Sequence, residues 1–109
     1  MLATRNLRRH GHVKIIERRD EQALNHAHDA DVLVLDPPRT GAEKVCRSVG
    51  NGTAGKALER LVYVACDPRA LARDLELLSP RFTLDRLTVL DMFAGTPHVE
   101  AVALLKKAN

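Results

Sequence analysis

Tryptophan is absent from the 109 residues, and only one tyrosine and two phenylalanines are present. The core must therefore be aliphatic, and recognition by stacking bases on an aromatic platform is disfavoured. Two cysteines, Cys46 and Cys66, are too few for a disulfide framework or a zinc site. No apolar run approaches the length that spans a membrane, and no charged leader with an apolar core opens the chain. These absences lead to the expectation of a reducing, cytoplasmic setting. Charge of one sign is not in large excess either. With 17 basic and 14 acidic residues the net charge is +3, which permits a polyanionic partner without demanding one. The stretch "RNLRRHGHVK" is the densest basic segment, readable as a solvated helix face or as a phosphate-contacting patch. His10 with His12 and His26 with His28 are short-spaced pairs. No Cys or acid stands at ligand spacing beside them, so they read as surface residues and no metal is expected.

What is present suits one domain. Apolar residues make up 45% of the chain, a normal share for a globular protein. A chain of this size buries about two-thirds of its unfolded surface. There is no internal repeat and no low-complexity segment.

The pattern alternates helix and strand. Residues 2–9 have helical spacing, with Gly11 placed to close the helix. "HVKII" (12–16) is a short strand and "DEQALNHAH" (20–28) a short helix. "DVLVLD" (31–36), an apolar run bounded by acids, suits a buried parallel strand. In the segment that follows, Thr40 and Glu43 have the spacing of a capping box. Ala42, Val45, Cys46 and Val49 then share one helical face, and "GNG" ends the helix. That face makes Cys46 a small core residue. "RLVYVAC" (60–66) is a second buried strand, followed by Asp67 as N-cap and Pro68 as first helical residue. Leu71, Leu75 and Leu78 form one stripe on that helix. "FTLDRLTVLDMF" (82–93) and "VEAVALLKK" (99–107) are strands, joined through "AGTPH" as an antiparallel pair. The expectation is an α/β fold whose sheet carries mixed strands at one edge.

Chemistry belongs beyond the carboxyl ends of the strands in an open α/β sheet. Asp36 ends one apolar run and Cys66 the other. A thiol at the mouth of a helix is favoured to ionise by the helix dipole, although a cysteine closing a strand can equally be inert. The two prolines after Asp36 hold its loop extended and rigid. Glu100 opens the last apolar strand, beside His98.

Three motifs together resemble one family, the RNA 5-methyluridine or (uracil-5-)-methyltransferases. They are "DPPRTG" at 36–41, "YVACDPRALARDL" at 63–75 and "DMFAGTPHVEAVALL" at 91–105. The resemblance implies a partial Rossmann-like class I methyltransferase fold. Its sheet would be mixed but mostly parallel, with an antiparallel C-terminal hairpin. It implies S-adenosyl-L-methionine as cofactor and transfer or ribosomal RNA as partner. By the same resemblance Cys66 matches the nucleophile that adds to carbon 6 of uracil, and Glu100 the base that removes the carbon 5 proton. Asp36 would line the methyl-donor and base pocket.

The chain departs from the family in places. Asp67 stands where Asn is commoner and Ala65 where Ser is, and Ala94 follows Phe93 where the family has Pro. No G-x-G turn precedes "DPPR". Residues 1–109 therefore read as a single domain, the C-terminal portion of the catalytic domain, without the cofactor turn or the N-terminal RNA-binding extension. On the family's strand order, "HVKII" would lie two strands from "DVLVL" with nothing between. It must then detach, pair elsewhere or meet another chain, and open sheet edges lead to an expectation of self-association. Two functions follow. The chain is the catalytic part of an RNA uracil-5-methyltransferase, or it is a non-catalytic truncated relative that binds RNA or protein.

Overall fold

Val32–Leu35 forms the strand expected of the run bounded by acids. Its burial alternates, with Leu33 and Leu35 buried and Val32 and Val34 half-buried. The computed structural model describes residues 13–16, 30–91 and 99–108. Within them lie five strands and two helices. They are β1 (Val13–Ile16), β2 (Val32–Leu35), α1 (Glu43–Gly50), β3 (Arg60–Ala65), α2 (Pro68–Leu78), β4 (Phe82–Asp91) and β5 (Val99–Lys107). The expected helices at 2–9 and 20–28, the basic stretch before Val13, both histidine pairs and the "AGTPH" turn lie outside the described residues.

The strands form one sheet in the order β1-β2-β3-β5-β4. β1, β2 and β3 run parallel, and β5 is antiparallel to both β3 and β4. Four of the five strands thus share one direction, so the sheet is mostly parallel with an antiparallel C-terminal hairpin. β1 neither detaches nor stands apart. It pairs with β2 in register, Val13 opposite Val32 and Ile16 opposite Leu35.

The helices cover one face. Leu33 and Leu35 of β2, Leu61, Tyr63 and Ala65 of β3, and Ala103 and Leu105 of β5 are buried in register with one another. Val45, Cys46 and Val49 of α1 and Leu71 and Leu78 of α2 complete this core, which is aliphatic apart from Tyr63 and Phe82. The face shared by Ala42, Val45, Cys46 and Val49 is buried as its spacing required. α1 and α2 touch closely where Gly50 meets Leu77, because a Cβ at Gly50 would strike the Leu77 carbonyl oxygen. Arg81 closes the far end of this layer. Its guanidinium donates to the carbonyls of Val49 (2.6 Å), Ala54 (3.2 Å) and Gly55 (3.1 Å).

The helix starts differ in kind. Asp67 caps α2 as expected, its carboxylate accepting from the Arg69 N–H at 2.8 Å, with Pro68 as first helical residue. α1 has no capping box. Its N-cap is Ala42, without a side-chain cap bond, so Thr40 is not the cap residue. The Ala42 N–H instead donates to the buried carboxylate of Asp74 on α2, at 2.8 Å.

Candidate active site

β2 and β3 run parallel and in register, so their carboxyl ends open on the same edge of the sheet. Asp36 follows Leu35 at the first of these ends and is exposed. Cys66 follows Ala65 at the second and is an exposed free thiol. β5 runs the other way, so its start lies at the same edge. Ala65 and Ala101 are the last β3–β5 pair, and Cys66 and Glu100 each stand one residue beyond it. Glu100 is half-buried and paired with Leu90 on its other side. Glu100, within β5, falls in the alternation phase of Val102, on the sheet face turned away from α1 and α2, while Asp36 and Cys66 stand just past the ends of their strands. Residues separated by sequence distances longer than any local element are thus gathered at one strand edge, where open α/β sheets take ligands.

The loop after Asp36 is held firmly. Gly41 donates its N–H to the Pro38 carbonyl at 2.8 Å and turns the chain with φ of +83°, a conformation that favours glycine. A cleft of about 270 Å³ lies against this loop, lined by Thr40, Gly41, Ala42 and Arg73 among others. It adjoins the loop behind Asp36 rather than the Cys66 thiol.

The two cysteines take opposite roles. Cys46 is fully buried in α1, and burial, then the charge of Asp74, pushes its thiol pKa well up. A thiol so held is inert as a nucleophile, which leaves Cys66 as the accessible one. No group of three or more His, Cys, Asp or Glu among the described residues could hold a metal. No helix among the described residues is long and apolar enough to cross a membrane.

One group was not singled out by sequence reasoning. Asp74 is fully buried, and its carboxylate accepts from the Tyr63 hydroxyl (2.5 Å), the Ala42 N–H (2.8 Å) and Arg73 Nε (3.1 Å). The signal was available, since Asp74 stands three residues after Leu71 and four before Leu78, on the apolar stripe itself.

Comparison with known proteins follows the same lines. The family model for tRNA (uracil-5-)-methyltransferase matches residues 8–108. An uncharacterized RNA methyltransferase of Agrobacterium fabrum is 44% identical over 78 residues, which is 71% of this chain and 18% of the relative. A 23S rRNA (uracil(1939)-C(5))-methyltransferase of Pseudomonas savastanoi is 44% identical over 93 residues, 81% of this chain and 20% of the relative. The crystal structure of the Pyrococcus abyssi tRNA (uracil-54, C5)-methyltransferase, in complex with S-adenosyl-L-homocysteine, aligns with a TM-score of 0.57 at 38% identity. It covers 70% of this chain and 18% of that one. The chain spans about a fifth of the length of the relatives it matches. With the match running over nearly all of its residues, the chain belongs to the tRNA (uracil-5-)-methyltransferase family.

Proposed function

We propose that this chain is the catalytic C-terminal part of an RNA uracil-5-methyltransferase that acts on uridine in transfer or ribosomal RNA. The observation that carries the reading is the convergence of Asp36, Cys66 and Glu100 at one edge of the sheet. Carbon 5 of uracil is a poor nucleophile by itself. The Cys66 thiolate adds to carbon 6, and the electron pair released from the double bond makes carbon 5 nucleophilic. S-adenosylmethionine, when bound, supplies the methyl group that carbon 5 takes. Glu100 then removes the remaining carbon 5 proton, the double bond re-forms, and the thiolate leaves. Support for this pairing of roles is that Cys66 and Glu100 each stand one residue beyond the last β3–β5 pair, Ala65 with Ala101.

The chain's donors fit one side of a cofactor site. Asp36 is an exposed carboxylate at a strand end, carried on a Pro37–Pro38 segment of fixed φ. It would hold the cofactor's edge next to the base, and its rigid loop keeps it from swinging away. The exposed Leu84, Leu87 and Val89 of β4, the outermost strand of the hairpin, support self-association of the chain.

The reading is tested by release of tritium from RNA labelled at carbon 5 of uridine, in the presence of S-adenosylmethionine. Release in the native protein and its loss in Cys66→Ala and Glu100→Gln are expected. RNA binding without any release would favour the non-catalytic binding module instead.

A further inference from the structure

We infer that Asp74 and Arg73 are positioning residues, which lock the loop behind Asp36 onto α2 and onto the strand that ends in Cys66. The inference rests on the proposed function for its catalytic consequence, but the lock itself is independent of it.

A fully buried carboxylate is costly unless its oxygens are met by donors. Here every donor comes from a different place. The Ala42 N–H, at the end of the loop that begins with Asp36, donates to Asp74 Oδ2 at 2.8 Å. The hydroxyl of Tyr63, three residues before Cys66, donates to the same oxygen at 2.5 Å. Arg73 meets Oδ1 through Nε at 3.1 Å and Nη2 at 3.0 Å. Arg73 Nη2 also donates to the Thr40 carbonyl at 2.8 Å, so the guanidinium grips the loop directly. One carboxylate thus joins β3, the 36–42 loop and α2.

Gly41 is the seat of this clamp. A Cβ there would lie 2.6 Å from Arg73 Nη2, 2.7 Å from Asp74 Oδ2 and 3.0 Å from the Ala70 Cβ, on a backbone already at φ of +83°. Both the contact and the conformation require glycine. Two of the three sequence motifs therefore supply the clamp: Gly41 from "DPPRTG", and Tyr63, Arg73 and Asp74 from "YVACDPRALARDL". With both oxygens committed, Asp74 is not available to substrate. Its effect reaches the reaction through Asp36 and Cys66, which it holds in fixed relation.

The test compares native protein with Asp74→Asn, using two readouts. The first is hydrogen exchange at single amides. The Ala42 amide is expected to exchange about tenfold faster in Asp74→Asn, the loss of a charge-assisted bond. The amides of Leu61 and Val102 in the sheet should change far less. The second is the rate at which Cys66 forms an adduct with RNA carrying 5-fluorouridine, expected to fall about tenfold with RNA binding kept. If Asp74→Asn does not fold, Tyr63→Phe removes a single hydroxyl and should shift both readouts the same way, by about threefold. An unchanged Ala42 amide in a folded variant overturns the lock. A uniform rise over all amides does so too, since it shows lost stability only. An adduct rate equal to native, beside a loosened Ala42, overturns the positioning role. If even native protein forms no adduct, the proposed function fails, and the exchange at Ala42 still decides the lock.

Discussion

Cys46 and Cys66 carry the same side chain into opposite settings. Cys46 lies at 0% exposure among Val45, Val49 and the sheet, whereas Cys66 faces solvent past the end of β3. A thiol reagent should therefore label one cysteine per native chain, and peptide mapping should find it at Cys66, with both labelled in denaturant. Rapid native labelling of Cys46 would contradict the core described. The same burial sets a pH dependence. Burial raises the pKa of both the Cys46 thiol and the Tyr63 phenol, the latter also through its hydrogen bond to Asp74. Below the ordinary values of 9.0 and 10.0 both groups keep their protons in either state, and their contribution is whole. Above them the unfolded chain ionises first, so stability falls as pH rises. Thermal unfolding should show Tm dropping from about pH 9 to about pH 11, with a shallower slope in Cys46→Val. Equal slopes in the two proteins would contradict it. At this scale the sequence was informative wherever spacing decides. The Ala42–Val49 face and the terminal Cys66 could be read from it. The spacing of Asp74 on the Leu71–Leu78 stripe is legible, but its partners Ala42 and Tyr63 are not, since only the fold brings them near.

Elements were legible where their signals are local. Asp67–Pro68 announces α2 because the cap and the first-turn N–H lie within two residues of each other. Asp67→Ala should therefore cost about 1 kcal/mol in urea unfolding. The start of α1 is not legible, for the opposite reason. The helix begins at Glu43 with Ala42 as N-cap, and the Ala42 N–H is met by Asp74, 32 residues on. The α1–α2 contact was likewise hidden, since "GNG" reads only as a helix end. In the fold Gly50 is where the two helices approach, with no room for a Cβ against Leu77. Gly50→Ala should destabilise by about 1–3 kcal/mol, as overpacked sites do. A change within a few tenths of zero would show that α2 can shift freely.

At the scale of the molecule, the sheet order explains how β1 is accommodated. It takes the place beside β2 and completes a five-stranded sheet. Sequence reasoning left its partner open because a four-residue parallel strand carries no signal for its neighbour. The opposite side, β4, presents Leu84 and Leu87 at 47% exposure and Val89 at 62%. Sedimentation velocity should show concentration-dependent association, which Leu87→Lys with Val89→Lys abolishes. A native chain that stays monomeric at all concentrations would contradict it. The proposed function requires a working Cys66 nucleophile at this edge of the sheet. It is tested most directly by mixing the protein with 5-fluorouridine RNA and S-adenosylmethionine, then resolving the products by denaturing gel and mass spectrometry. Fluorine at carbon 5 cannot leave as a proton, so a trapped, methylated adduct on Cys66 is expected, and it should be absent in Cys66→Ala. A folded protein that binds this RNA and yields no adduct would contradict it.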